Sequence, residues 1–238
     1  MQQFNNYILS PEKGQGRQLV IGATLSSIAE MEALLFSQIK VTLQDQLFFM
    51  GNYLHEGVAA QWLDWLMALR ERGYQIFLLR GEAEEQLLLE AQRQDEELLE
   101  CYAEIKGFEN LLDNGQLKPK YEQLLQSMAY FFETEKMMIS YGGFVFQDAN
   151  SFHKPSSFLS PENFELFIPL DISKKIIYAR RPNTIEQLHD DLNADAHCLS
   201  LNLLKENSWV VYDIAKNLVW LYDTTPPPIA LWQSFQYN

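Results

Sequence analysis

Few side chains in this sequence are placed to do chemistry. The four histidines, His55, His153, His189 and His197, show neither H-x-x-x-H nor H-E-x-x-H spacing, so each reads as a surface or locally hydrogen-bonded residue. Cys101 and Cys198 are too few and too far apart for a disulfide framework or a zinc site. They read as reduced, mostly buried thiols. Cys198 follows His197 in a strand pattern, where neighbours point to opposite faces, so the two do not form a nucleophile pair. No G-x-S-x-G elbow, phosphate loop or G-x-G-x-x-G fingerprint occurs, and Gly14-Gln15-Gly16 is a polar turn. Three groupings remain. Glu82, Glu84 and Glu85, with His55, could serve a hydrolase built on a rearranged single-metal site. Arg80, Arg180 and Arg181 could form a metal-free anion-binding module. The acidic run from Glu82 to Glu104 reads first as a solvated helical face and second as a partner-binding surface.

The elements that must position these residues follow from hydrophobic periodicity. Leu19 to Ile21, Gln46 to Met50 and Gln75 to Leu79 read as buried strands, stopped by Gly22, Gly51 and Gly81. Between the first two, Ser27 and Glu30 make a capping box, and Ile28, Met31, Leu35 and Ile39 share one helical face. Between the next two, Ala59, Trp62, Leu66 and Leu69 mark a helix that Gly73 ends. Strand–helix–strand repetition implies parallel strands, whose C-terminal ends share one edge. Ala23, Asn52 and Glu82 are therefore expected together there.

A helical middle is expected from about Glu84 to Glu135, with Pro119 in the first turn of its last helix. Strands follow at Met137–Ile139, Gly143–Phe146, Ile176–Ala179, Cys198–Leu204, Trp209–Ile214 and Leu218–Tyr222, with one helix capped by Thr184 and Gln187. Trp62, Trp65 and Trp209 fit core positions. No repeat or linker divides the chain, so residues 1–238 are expected to form one α/β domain with a strand-rich C-terminal part.

Composition limits the partners. The 238 residues carry 32 acidic against 18 basic side chains, a net charge of −14, which disfavours a nucleic-acid backbone. The polar N-terminus carries no signal-peptide pattern, and no apolar run reaches the ~20 residues of a membrane span. A cytoplasmic protein with no membrane contact is expected.

The glycine turns carry a resemblance. They read Gly22-Ala23-Thr24-Leu25-Ser26, Gly51-Asn52-Tyr53-Leu54-His55-Glu56-Gly57 and Gly81-Glu82-Ala83-Glu84, with successive first glycines 29 and 30 residues apart. In order and spacing they resemble the G-D-x-H-G, G-D-x-x-D-R-G and G-N-H-E motifs of calcineurin-like metallophosphoesterases, especially the serine/threonine protein phosphatase branch. Ser140-Tyr141-Gly142-Gly143 stands where that family has its H-G-G turn, and Ala179-Arg180-Arg181-Pro182 resembles its G-H-T-P. The resemblance implies a sandwich of two β-sheets flanked by helices.

Every metal ligand of the family is replaced. Ala23 and Leu25 stand for the aspartate and histidine of the first motif, and Asn52 for the bridging aspartate. Glu82 replaces the ligand asparagine and Ala83 the proton-donating histidine. Tyr141 and Arg180 stand where the late histidines belong, and Glu56 reverses the charge of the phosphate-binding arginine. A two-metal phosphoesterase activates a bridging water between ions ~3.5–4 Å apart. Ala23 and Leu25 offer no lone pair, Asn52 a single neutral oxygen, and Arg180 a repelling charge. Glu82 could hold one hard cation, at best with His55 and waters. The expectation is a pseudophosphatase without cofactor that binds a protein or a small anion.

Overall fold

In a computed structural model of the protein, the described residues are 7–9, 16–22, 27–143, 156–159, 174–196, 198–203, 208–223 and 233–235. After β1 (Tyr7–Leu9) and β2 (Gln18–Ile21), Ser27 caps α1 (Ile28–Glu32). The Glu30 amide donates to Ser27 Oγ at 3.3 Å and Ser27 N donates to Glu30 Oε2 at 3.2 Å, as the capping box requires. A π-helical stretch, Ala33–Gln38, prolongs this helix. Next come β3 (Gln46–Phe49), α2 (Ala59–Glu71) and β4 (Gln75–Leu78).

β2, β3 and β4 pair in parallel, as strand–helix–strand repetition dictates. Their side chains alternate between two cores. Leu19, Ile21, Leu47, Phe49, Ile76 and Leu78 face the helices, while Val20 and Phe48 face a second sheet. Burial on both faces explains their unbroken hydrophobicity. Trp62 and Trp65 are buried against the helical side with rings edge-on at 5.4 Å, while the side chain of Trp209 lies outside the described ones.

The middle is less helical than its periodicity suggests. α3 (Glu82–Gln92) and α4 (Glu96–Lys106) are followed by a short 3-10 turn and the hairpin of β5 (Leu112–Asp113) and β6 (Gln116–Leu117). α5 (Pro119–Gln126) has its proline in the first turn, but Phe131–Glu133 is a strand, β7, and not the tail of a helix. Pairing with β1 and β8 (Met137–Ser140) overrides local propensity there. Gly143 lies outside any strand, and 144–146 fall outside the described residues. A short helix, α6 (Ser156–Leu159), precedes β9 (Lys175–Asn183). Then come α7 (Ile185–Asn193), capped by Thr184 and Gln187 as expected, and β10 (Cys198–Leu203), β11 (Ser208–Asp213), β12 (Leu218–Asp223) and β13 (Gln233–Phe235).

The strands form two main sheets, one ordered β1-β7-β8-β9-β10 and the other β13-β12-β11-β2-β3-β4. Phe132, Ile139, Ile177, Leu199 and Leu201 of the first interleave with Val20, Phe48, Val210 and Tyr212 of the second. The result is a mixed α/β sandwich of two facing sheets with helices packed outside. No helix among the described residues is long and apolar enough to cross a membrane.

Candidate functional site

The parallel strands β2, β3 and β4 end side by side, and their glycine turns crowd against the other sheet. An amide hydrogen of Gly22 bonds Val210 O at 2.9 Å, and a β-carbon on Gly22 would lie 2.1 Å from Leu201 O. Only glycine lets β2 approach β10 so closely. Gly51 has φ +90° and Asn52 φ +66°, so the chain leaves β3 through two left-handed residues. A β-carbon on Gly51 would meet Gly81 N at 3.0 Å and the Tyr141 ring at 3.1 Å. The Ala179 amide donates to Tyr141 O at 2.9 Å, bringing the backbone before Arg180 to the same place. The second, third, fourth and fifth motif turns thus meet at one edge between the sheets; of the three positions expected together, Asn52 and Glu82 lie in turns that do. Ala23 and Leu25 lie outside the described residues, as do the side chains of Arg180 and Arg181, which are carried on β9.

One residue ties this edge together, and its role was not read from the sequence. Glu84, in the first turn of α3, is fully buried. Its Oε1 accepts from Tyr53 N at 2.7 Å and Leu54 N at 3.1 Å; its Oε2 accepts from Gly81 N at 2.8 Å and Asn52 N at 3.2 Å. The carboxylate therefore clasps the turn after β3 to the turn after β4. Burial pushes its pKa above the usual carboxylate range, against the pull of the four N–H donors. The helix N-terminus also favours the negative charge. Tyr53 completes the clasp: its hydroxyl donates to Phe49 O at 3.0 Å and accepts from Gly51 N at 3.1 Å. Burial and the Glu84 charge hold that hydroxyl well above its ordinary range. The available signal was the glutamate three residues after a strand-ending glycine, a capping pattern submerged in an acidic run.

Four sequence expectations are corrected here. Arg80 is no open anion site. It is buried, with Nη1 donating to Glu85 Oε2 at 2.9 Å and to Tyr130 Oη at 2.8 Å, and Nη2 to the carbonyls of Leu125 and Gln126. Tyr130 in turn donates to Glu85 Oε2 at 2.6 Å. The guanidinium's two terminal nitrogens are thus taken up in joining α3, α5 and Tyr130, just before β7. The acidic run is likewise not a uniform solvated face, because Glu84 and Glu90 are buried. Glu84 and Glu85 therefore belong to the scaffold and are not available to a rearranged hydrolytic site. Of the thiols, Cys101 is exposed and not buried. Cys198 is half-buried, with its pKa pushed up to about 11 by burial and the charge of Asp191.

The remaining positions surround the turns. Asn52 and half-buried His55 line a cleft with Gly22, Phe49 and Trp62 whose volume is about 10 Å³, the room one water needs. Glu82 is exposed at the first position of α3, half-buried Ala83 packs against the helical core, and Glu56 is exposed. A metal pair, which the motif resemblance implies, does not fit these residues. Asn52 offers a neutral amide, Tyr141 a neutral phenol, and both Glu84 oxygens are taken up by backbone N–H groups. Among the described residues no three of His, Cys, Asp and Glu group as metal ligands must.

Solved structures share the fold. A candidate diadenosine tetraphosphatase superposes with a TM-score of 0.60 at 12% identity, covering 98% of this chain and 99% of its own. A cold-active protein-tyrosine phosphatase of a psychrophile, Shewanella sp., gives 0.54 at 12% identity over 91% of this chain and 79% of its own. A protein serine/threonine phosphatase from Saccharomyces cerevisiae gives 0.51 at 11% identity over 97% of this chain and 82% of its own. At such identities the likeness concerns the fold, which is consistent with that of calcineurin-like phosphoesterases. The chain matches no protein-family model and no curated protein sequence.

Proposed function

We propose that residues 1–238 form a single metallophosphoesterase-like domain whose catalytic centre has decayed, a pseudophosphatase that works by binding. One contrast carries this reading. The motif positions on which backbone geometry depends are kept, at Gly22, Gly51, Gly81 and Glu84. The positions that the resemblance makes metal donors hold Ala23, Leu25, Asn52, Glu82, Tyr141 and Arg180, and Ala83 stands for the proton-donating histidine. A fold under no constraint at this edge would lose both kinds of residue together. Here the frame stands and most of the donors are gone, which fits selection for the shape of the edge and not for hydrolysis.

The test is metal content measured alongside turnover. After incubation with manganese, iron or zinc and desalting, elemental analysis should find well under one ion per chain. Hydrolysis of an aryl phosphate should stay at the buffer rate. Two chelator-reversible ions per chain with turnover would overturn the reading.

A further inference from the structure

We propose that the outer face of α4 is a docking surface for a basic amphipathic helix of a partner protein. The helix is well delimited: Asp95 Oδ1 accepts from Leu98 N at 3.0 Å at its start, and Gly107, at φ +68°, ends it. Leu99 and Ala103 point into the core. On the opposite side Leu98 and Ile105 are 41% and 75% exposed, and the exposed Cys101 lies between them. Single exposed apolar residues carry no message. These three, however, stand at i, i+3 and i+7, the a–d–a spacing of a helix–helix seam. Glu97 and Glu104, both exposed, fall at successive g positions along one flank of that seam, where coiled-coil helices place charges that choose a partner, and half-buried Tyr102 stands at e on the other flank.

Charge complementarity selects the occupant. One flank of the seam is lined by glutamates, with exposed Glu100 beside them, on a chain of net charge −14. An antiparallel second copy would set the two glutamate rows against each other, and a parallel one would set them against Tyr102, so neither pairs the carboxylates. A helix with an apolar stripe bordered by Lys or Arg would bury Leu98 and Ile105 while pairing those carboxylates. This face lies outside the glycine-turn edge, so its role does not depend on whether that edge is catalytic.

The probe is a lactam-locked two-heptad peptide with Leu at a and d and Lys at e and g, titrated against the full chain by fluorescence anisotropy. Its counterpart carries Glu at e and g. The Lys peptide should bind at least about tenfold more tightly than the Glu peptide, and added salt should weaken it. Ile105→Glu, and separately Glu97→Lys with Glu104→Lys, should each weaken the Lys peptide about tenfold. Because these side chains are exposed, the melting temperatures of the variants should match the parent, which separates lost binding from lost folding. Equal binding of the two peptides, or indifference to all three substitutions, would overturn the proposal. Sedimentation showing a dimer that Ile105→Glu dissociates would assign the face to a second copy and overturn it as well.

Discussion

The two ends of the parallel strands β2, β3 and β4 each hold a buried carboxylate, and the two are held in opposite ways. At the N-terminal end Asp45 meets a cation. Arg17 Nη2 donates to Asp45 Oδ2 at 2.7 Å, Nε to Oδ1 at 3.2 Å, and the amides of Arg17 and Thr42 add two more bonds at 2.8 Å. Burial pushes the Asp45 pKa up, but the guanidinium and these amides outweigh it and leave the group below its ordinary value. At the C-terminal end the four donors to Glu84 are all backbone N–H groups, and the balance leaves the group raised. The first arrangement is a structural ion pair that could sit in any fold. The second shapes two loops around an anion without neutralising it, which is economical only where the loop geometry itself matters. The edge that gathers the glycine turns is thus held by the device that depends most on exact backbone placement.

The largest expected effect breaks that device. In Glu84→Gln one amide oxygen replaces two carboxylate oxygens, and the new NH2 group faces N–H donors. Two buried N–H groups lose their acceptor at about 1–3 kcal/mol each, a large share of a typical domain's stability. Urea unfolding should show the midpoint falling steeply. A loss under about 1 kcal/mol would mean that the loops hold their shape without the clasp.

A smaller effect sharpens the picture of the edge. Gly51→Ala forces a side chain into φ +90° and against Gly81 N and the Tyr141 ring. The left-handed backbone costs roughly 1–2 kcal/mol and the contacts add to it, for a loss of about 2–4 kcal/mol by thermal or urea unfolding. If the double variant Gly51→Ala, Tyr141→Ala is no worse than Gly51→Ala alone, the ring is what blocks the added methyl.

How much of this was legible in the sequence depended on the range of the forces involved. The turns after β2, β3 and β4 were readable because a glycine closing a buried strand is a local signal, and their spacing follows from the length of a crossover helix. The Ser27–Glu30 and Thr184–Gln187 caps are local too, and both formed. The strand at Phe131–Glu133 was not, because its pairing with Tyr7–Leu9 spans more than half the chain. Arg80 looked available because its neighbours in sequence are not its partners: Tyr130 and the carbonyls of Leu125 and Gln126 come from α5 and beyond. Glu84 was hidden by its neighbours, since its one local signal, the place three residues after Gly81, is submerged in a run of glutamates.

The smallest expected effect tests the comparison through pH. A carboxylate whose folded pKa is depressed contributes stability above its unfolded value and loses it as pH falls through the folded value; Asp45, below its ordinary 3.8, is of this kind. A carboxylate whose folded pKa is raised contributes stability that is full below its unfolded value and lost as pH rises through the folded value. Glu84, above its ordinary 4.5, is of this second kind. The two ends of the sheet therefore tilt the stability curve in opposite directions between neutral and acid pH. Asp45→Asn removes one tilt. At neutral pH it should cost about 1–3 kcal/mol, less than a fully buried pair, because the Arg17 side chain is 24% exposed and also faces Asp213. That cost should shrink as pH falls from the ordinary value of 3.8 towards the lower folded value, because the unfolded chain takes up its proton there before folded Asp45 does. Urea midpoints of parent and variant, measured at steps from about pH 7 to about pH 3, should converge at the acid end. A cost that stays constant down to the lowest pH would show that Asp45 acts through hydrogen bonds alone. The contrast between a cation-held and an amide-held carboxylate would then lose its electrostatic basis.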